Sequence, residues 1–185
     1  MRPGLRIDAD AVVLERWRAG DAAALLAAVS ESLDHLRPWM AWAAAPPTLA
    51  SMDGFVARSS EGFDAGTDFN YAVREPRGRA ILGGCGLRRR RGRSVLEIGY
   101  WVHAAHTRRG LATAAAGALA RTALAIPDVT RVEIRCDAGN VPSAGVARRL
   151  GFRLDRVEDD AVRAPAETGR AMIWVLERDQ PPAAG

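Results

Sequence analysis

Residues 96 to 113 combine a strand pattern, a basic turn and a helix pattern in direct succession. From Leu96 to Val102, apolar side chains occupy every second position, which is the period of a β-strand. From Leu111 onward Ala, Leu and Thr predominate, and no Pro or Gly interrupts them before Gly117, which is typical of a helix. The stretch therefore predicts a strand and a helix joined by a short turn, and this turn contains Gly110.

Arg108 and Arg109 stand in this turn, directly before the predicted helix. The first N–H groups of a helix have no partner inside the helix, and the helix dipole makes this end positive. A glycine lets the backbone approach a ligand closely. The turn is therefore predicted to bind phosphate groups. The alternative is a surface turn with two solvated arginines.

The bulk composition indicates one folded domain. A chain of 185 residues with 48% apolar residues is long enough to bury a core. We expect a single domain over residues 1–185, with its core at about 12–178 and a short tail at each end. The net charge is +4 and every basic residue is an arginine, so the pI of about 10.0 partly reflects the high pKa of that side chain. The modest basic excess suits an anionic small ligand, and nucleic acid is not an expected partner.

The two cysteines and the apolar runs argue against a metal-binding, membrane-spanning or secreted protein. Cys85 and Cys136 lie far apart in strand-like contexts, which predicts two buried structural thiols. No residues have the spacing of metal ligands, and no metal is expected. No apolar run reaches transmembrane length or resembles a signal peptide. A cytoplasmic protein without a membrane partner is expected.

The rest of the chain predicts alternating strands and helices. Strands are predicted at 11–17, 68–75, 80–87, 96–102, 129–136, 152–157 and 171–178. Helices are predicted at 22–32, 48–63, 110–125 and 142–150, with a shorter helical piece at 33–42. Asp21 and Thr48 are predicted to cap helices at the N-terminus, and Gly151 to end one. The pattern indicates an α/β (α+β) fold with a mixed sheet of about seven strands and about four helices.

A second motif follows the strand at 129–136. It reads Asn140-Val141-Pro142-Ser143 and then Arg149-Leu150-Gly151-Phe152. Together with the turn at 107–112 and the segment Leu36-Arg37-Pro38-Trp39-Met40-Ala41-Trp42, the ordered combination resembles the GNAT superfamily of N-acetyltransferases, and most closely its RimJ/RimL branch. The family's turn usually begins with Gln or Arg. Thr107 departs from that pattern, which removes a possible side-chain contact but leaves the backbone cradle.

The resemblance implies a GNAT-like, mostly antiparallel sheet that splays at the strand binding acetyl-CoA. The pyrophosphate would sit on the turn, and the pantetheine would lie along the strand backbone at Trp101 and Val102. The implied cofactor-binding residues are Trp101, Val102, Arg108, Arg109, Gly110, Leu111, Ala112, Thr113 and Asn140. Asn140 is equally explained as a helix cap or a turn residue.

The implied reaction is attack of an amine on a thioester, which requires a base and benefits from an acid. Glu97, on the strand face opposite Leu96 and Ile98, is the candidate base. It is otherwise a solvent-facing carboxylate or part of an ion pair. Many GNAT enzymes use a tyrosine after the Asn-containing loop as the acid. No tyrosine follows that loop here, so Ser143 is the candidate, with helix capping as its alternative.

The acceptor is less constrained. Trp39 and Trp42 are candidates for lining its pocket, although either is equally explained by core packing. Deprotonating an α-amine at pH 7 costs about 1–1.4 kcal/mol, whereas a lysine amine costs about 4.6 kcal/mol. A single carboxylate base therefore favours a protein N-terminal α-amine or another amine of low pKa.

Two other functions stay open at this point. The same fold can use another acyl-CoA such as succinyl-CoA. The arginine run at 88–91 raises the alternative of a non-catalytic RNA-binding or regulatory module. Homodimers are common in this branch, and the sequence leaves the oligomeric state open.

Overall fold

A computed structural model describes residues 2–89, 92 and 94–178. The described residues form one eight-stranded sheet and four α-helices. The strands are β1 (Arg6–Ala9), β2 (Val12–Arg16), β3 (Asp68–Arg74), β4 (Ile81–Arg89), β5 (Val95–Val102), β6 (Arg131–Asp137), β7 (Arg153–Asp159) and β8 (Arg170–Glu177). The helices are α1 (Ala22–Leu36), α2 (Leu49–Ala65), α3 (Leu111–Leu124) and α4 (Val141–Arg149).

The sheet confirms the predicted mixed fold and contains one strand more than the sequence indicated. Its spatial order is β1-β2-β3-β4-β5-β6-β8-β7, and every neighbouring pair is antiparallel except β5 and β6. The additional strand is β1, which forms a hairpin with β2 through Asp10 at a φ of 52°. Four residues with Ala9 as the one buried side chain are too few to show a clear strand period.

Two details of the predicted helices were wrong. The helix α1 continues to Leu36, and beyond it a single 3₁₀ turn at Ala41–Ala43 replaces the expected helical piece at 33–42. Asp21 precedes α1 without capping it. Its carboxylate instead accepts the N–H of Arg18 at 3.0 Å and pairs with Arg74 at 2.6 Å, because a buried guanidinium requires a partner.

The other predicted helix ends are confirmed. Thr48 caps α2 by accepting the N–H of Ser51 at 3.1 Å. Gly151 follows α4 with a φ of 77°. The helix α3 packs closely against the end of α4. A Cβ atom on Gly117 would lie 2.9 Å from the Leu150 side chain, so glycine is what permits this approach.

The predicted splay of the sheet is also present. β5 and β6 pair in parallel only from Val95 to Ile98 on one strand and from Arg131 to Ile134 on the other. Beyond these four positions the last four residues of β5 have no pairing with β6. The helix α3 covers one face of the sheet at this place, whereas α1 and α2 pack on the other face at β4 and β3. The gap thus opens between two strands that are otherwise anchored in a continuous core.

Both cysteines are buried, as the sequence predicted. Burial raises the pKa of each thiol. Among the described residues, no helix is both long enough and apolar enough to cross a bilayer, and no cluster of His, Cys, Asp and Glu has the arrangement of a metal site. Arg90 and Arg91 of the arginine run, Arg93, and the predicted tail at 180–185 lie outside the described residues.

Candidate active site at the splayed strands

The turn before α3 has the geometry of an anion cradle. Gly110 adopts a left-handed conformation with a φ of 76°, and Arg108 does so with a φ of 59°. The first backbone bond of the helix runs from the N–H of Ala114 to the carbonyl of Gly110 at 2.9 Å. The N–H groups of the preceding residues therefore have no partner inside the helix. Arg108, Arg109 and Gly110 are all exposed, so the turn is open to a diphosphate approaching from solvent.

The hydrogen bonding between β4 and β5 shows which peptide groups face the gap. The N–H of His103 donates to the Leu82 carbonyl at 2.8 Å. Hydrogen bonds alternate along an antiparallel pair, so the peptide groups of Trp101 also face β4, whereas those of Tyr100 and Val102 point into the gap. A ligand lying along this edge would bond to Tyr100 and Val102. The family resemblance implies Trp101 and Val102 as the strand residues that bind the cofactor. The peptide groups of Val102 face the gap as this requires, whereas Trp101 has only its side chain for a contact with a ligand.

The start of α4 lies across the gap from β5. The side-chain carbonyl of Asn140 accepts the N–H of Ser143 at 3.2 Å, so Asn140 caps this helix. The Ser143 hydroxyl lies 2.9 Å from the Tyr100 hydroxyl, and Tyr100 also bonds to the Ser143 carbonyl at 3.3 Å. Burial raises the pKa of Tyr100 to about 12, so its hydroxyl keeps its proton at neutral pH.

Sequence reasoning missed Tyr100 as a member of this site. The family resemblance places the expected tyrosine after Asn140, whereas Tyr100 comes from β5 and reaches Ser143 across the gap. The strand alternation carried the missing signal, because it places Tyr100 on the face covered by α3 and α4, together with Ile98. Only the course of the chain between β5 and α4 decides that the two hydroxyls meet.

Glu97 lies on the opposite face of β5 and is half-buried. In the sheet it is paired with Arg88 of β4 on one side and Glu133 of β6 on the other. Glu133 is buried and accepts a hydrogen bond from Arg131 at 2.8 Å. The pairing of β5 with β6 ends at Ile98, one residue after Glu97, so Glu97 lies beside the start of the gap.

A cleft of about 1150 Å³ joins these groups into one space. Glu97, Tyr100 and Ser143 all line it. Trp39 and Trp42 stand in its wall, and the Trp42 ring packs edge-on against Trp101 with centroids 6.2 Å apart. Their role toward an acceptor stays a prediction. The loop at 160–169 forms another wall and joins the segment after α1 through a bond from the Ala166 N–H to the Pro38 carbonyl at 3.0 Å.

Other carboxylates in the cleft hold this loop in place. Asp137 accepts the N–H of Gly139 at 2.8 Å and that of Thr168 at 2.9 Å. Arg163 and then Arg135 lower the pKa of Asp160 to about 2, so Asp160 stays ionised and paired. These bonds make the segment after β7 an organised wall of the cleft.

A smaller cavity of about 400 Å³ adjoins the turn before α3. It lies between Gly110, Arg121 and Arg149, and the Arg149 Nε approaches the Thr113 hydroxyl at 3.4 Å. Asp10 also lines this cavity, so its charged groups are two arginines and one carboxylate.

Known structures share this architecture. The chain is similar to a RimL ribosomal L7/L12 alpha-N-protein acetyltransferase in complex with coenzyme A, with a TM-score of 0.86 and 18% identity over 94% of this chain and 98% of that one. It is also similar to Mycobacterium smegmatis RimJ in complex with CoA-disulfide (0.83, 22%, covering 100% and 93%). A third similar structure is the microcin C7 self-immunity acetyltransferase MccE with acetyl-CoA and AMP (0.83, 20%, covering 91% and 93%). At these identities the likeness establishes the fold.

The family follows from the sequence match. No curated protein matches the chain. The sequence pattern of the acetyltransferase (GNAT) domain, however, matches residues 11–153, which include the splayed strands, the phosphate turn and the start of α4. With most of its length matched and its fold shared with RimL and RimJ, this chain belongs to the GNAT family of acetyltransferases.

Proposed function

We propose that the protein transfers an acetyl group from acetyl-CoA to a primary amine, with Glu97 as the general base. The observation that carries the proposal is the arrangement around one gap in the sheet. An anion cradle opens at one end of the gap, and a carboxylate and a pair of hydroxyls meet at the other in a single cleft. The amine acceptor is a protein N-terminal α-amine or a small molecule.

The described residues fit acetyl-CoA. The peptide N–H groups from Leu111 to Thr113, with Arg108 and Arg109, would hold the pyrophosphate. The outward-facing peptide groups of Tyr100 and Val102 would bind the pantetheine as an added strand would. Acetyl-CoA supplies the activated acetyl group, so the protein's task is to position the amine and manage charge.

Each polar group in the cleft has a distinct role in this proposal. Glu97 takes a proton from the ammonium form of the acceptor, directly or through a water molecule. A strand N–H at Val102 or Tyr100 donates to the carbonyl oxygen as negative charge develops on it. In this proposal Ser143 donates toward the departing sulfur. The single proton of Tyr100, which lies within reach of both the Ser143 carbonyl and its Oγ, is donated to the Oγ and orients that hydroxyl.

The choice of an amine acceptor is supported from two sides. The RimL neighbour is an alpha-N-protein acetyltransferase. The pKa of an α-amine is low enough for a single carboxylate base to deprotonate it. The MccE neighbour was solved with AMP, which keeps small-molecule acceptors among the candidates. Another acyl-CoA such as succinyl-CoA fits the same cradle, and a comparison of donors distinguishes the two.

The substitution Glu97→Gln tests the base. We expect it to lower kcat by about 10²- to 10⁴-fold, because it removes the proton acceptor and preserves the shape of the side chain. The affinity for CoA, measured by calorimetry, should not change. Glu61→Gln is the matched control, since Glu61 is exposed on α2 and outside the cleft. Full activity of Glu97→Gln would exclude Glu97 as the base.

A further inference from the structure

A buried histidine lies between the end of β5 and the turn before α3. His103 directly follows Val102, the last residue of β5, and only 7% of its surface is exposed. It lines neither the cleft nor the smaller cavity, so the proposed chemistry gives its imidazole no role. A buried imidazole needs a partner for each ring nitrogen, and the structure supplies both partners.

The Nδ1 atom of His103 holds the chain where it leaves the sheet. It accepts the backbone N–H of Ala105 at 3.1 Å and thereby caps a 3₁₀ turn at Ala104–His106. A backbone N–H can only donate, so Nδ1 carries no hydrogen and the neutral ring has its hydrogen on Nε2. The Nε2 atom lies 3.1 Å from the Oε2 of Glu31, and it donates to this carboxylate.

The helix α1 fixes the same 3₁₀ turn at a second point. The hydroxyl oxygen of Ser32, a fully buried residue, accepts the N–H of Ala104 at 3.0 Å. Glu31 and Ser32 are consecutive residues of α1, so the helix holds the turn through two adjacent bonds, one directly and one through His103. The N–H groups of Ala104 and Ala105 are thus both bonded to side chains, which satisfies two backbone donors outside the sheet.

The 3₁₀ turn leads into the residues that would hold the pyrophosphate. Its last residue, His106, stands three positions before Arg109, and the His106 Nδ1 lies 2.7 Å from the Arg109 Nη1. A guanidinium can only donate, so this bond sets the direction of the Arg109 side chain. The rings of His103 and His106 are in contact, with their centroids 5.2 Å apart. The position of Arg109 therefore depends on the ring that α1 holds.

We propose that His103 is a positioning residue for the coenzyme. Its Nδ1 holds the 3₁₀ turn so that the Arg109 guanidinium and the N–H groups after Gly110 are in place before CoA binds. A site that is ordered in advance loses less entropy on binding and therefore binds more tightly. The inference rests on the acetyl-CoA binding of the proposed function and is independent of the acceptor. His103 should thus affect the binding of acetyl-CoA and leave the chemical step unchanged.

Two substitutions separate the two ring nitrogens. In His103→Asn the side-chain oxygen takes the place of Nδ1, because asparagine is a favourable N-cap residue, and the bond to Glu31 is lost. In His103→Gln the longer amide reaches Glu31 and leaves the Ala105 N–H without its acceptor. We expect the Kd for CoA, measured by calorimetry, to rise about tenfold in His103→Gln, as for one lost hydrogen bond. In His103→Asn it should stay within about threefold of wild type.

Steady-state kinetics gives a second readout. In His103→Gln the KM for acetyl-CoA should rise about tenfold, while kcat at saturating acetyl-CoA stays within about twofold. His35→Gln is the matched control, because His35 is an exposed residue of α1 that lines neither cavity. Its Kd, KM and melting temperature should equal those of wild type.

Ser32→Ala tests the same turn with a smaller change, which keeps the test decisive if His103→Gln folds poorly. It removes the acceptor of the Ala104 N–H, so the Kd for CoA should again rise about tenfold. Melting temperatures of all variants are measured alongside. A lower melting temperature with unchanged CoA affinity in Ser32→Ala and His103→Gln would make the turn a purely structural element and overturn the inference.

The remaining outcomes separate this inference from the proposed function. Equal rises of the Kd in His103→Asn and His103→Gln, or a fall in kcat at an unchanged KM, would also overturn the role of the Nδ1 acceptor. Calorimetry needs no acyl transfer. A protein that shows the expected Kd values and acetylates no amine would therefore contradict the proposed function alone, whereas a wild-type protein that binds no CoA would contradict both.

Discussion

At the scale of single residues, Tyr100 and Ser143 show how the fold creates a chemical unit from separate segments. Their hydroxyls are 2.9 Å apart although the residues are 43 positions apart in sequence. The Tyr100 ring is largely buried, and its raised pKa keeps the hydroxyl a donor over the pH range in which the amine is reactive. In the proposed mechanism Tyr100 donates to the Ser143 Oγ, so that the Ser143 proton is available to the departing sulfur.

Tyr100→Phe is therefore expected to lower kcat by about tenfold with little change in CoA affinity, because one hydrogen bond to Ser143 is lost. Tyr71→Phe is the matched control. Tyr71 is fully buried and donates to the Gly4 carbonyl at 2.9 Å, outside the cleft. That variant should lose melting temperature and keep kcat. A Tyr100→Phe enzyme with unchanged kcat, or losses in Tyr100→Phe and Ser143→Ala that simply add, would contradict the coupling of the two hydroxyls.

At the scale of elements, β6, β7 and β8 are joined by ion pairs on the face that continues the cleft. Arg131 of β6 bonds to Glu133 on its own strand and to Asp155 of β7, each at 2.8 Å. Arg153 and Arg156 also pair with Asp155. The hydrogen bond from Arg131 is the largest of the effects that lower the pKa of Asp155 to about 2.

This shift predicts a pH-dependent contribution to stability. The folded-state pKa of Asp155 lies below its unfolded value of about 3.9, so its contribution is complete above that pH and is lost as the pH falls toward about 2. Asp155→Asn should reduce the melting temperature at pH 7, by an amount equivalent to about 1 kcal/mol or less because the pair is partly solvated. The difference from wild type should shrink as the pH falls toward about 2 and disappear below that pH.

Asp159→Asn is the matched control on the same strand. The Asp159 side chain is 91% exposed, and among the described residues its one ion-pair partner is Arg170, so its substitution should leave the melting temperature unchanged. A wild-type and Asp155→Asn difference that persists unchanged to low pH would mean that packing, rather than charge, stabilises this position.

At the scale of the whole molecule, the proposed ligand bridges two parts of a sheet that share only four paired positions between β5 and β6. A ligand that binds only the folded state stabilises it by about 2.7 kcal/mol at a concentration of 100 times its Kd. CoA at that concentration should raise the melting temperature by roughly 5–10 °C. A thermal shift measurement checks this value.

Gly110→Ala should lower the stability of the free protein by roughly 1–2 kcal/mol and reduce the shift produced by a fixed CoA concentration. The φ of 76° is unfavourable for alanine, and relaxing it displaces the N–H groups of the cradle. Gly151→Ala is the matched control, because Gly151 has a φ of 77° and no neighbour within 4 Å of an added Cβ. It should lose similar stability while keeping the full CoA shift. Equal shifts in both variants would place the ligand elsewhere.

The sequence by itself determined the features that depend on neighbouring residues. Strand alternation from Leu96 to Val102, the glycine turn before α3 and the Thr48 cap are local patterns, and the structure has them at the predicted positions. The ordered motifs also carried the family and its splayed sheet, whereas Glu97 as base and Ser143 as acid stay predictions. The short strand β1 was missed, because four residues show no clear period. The predicted length of α1 was wrong, because packing extends a helix beyond its local signals.

Only the tertiary structure decided which side chains face one another. The meeting of Tyr100 with Ser143 depends on the divergence of β5 and β6, and the contact of Glu31 with His103 depends on the packing of α1 against the turn that follows β5. The outward direction of the Val102 peptide groups, in place of those of Trp101, likewise follows from pairing with β4. The spacing of residues in the sequence indicates the period of a strand or helix. The distance between side chains of separate segments depends on how the whole chain packs, because each such contact sets the loss of chain entropy against the burial of apolar surface.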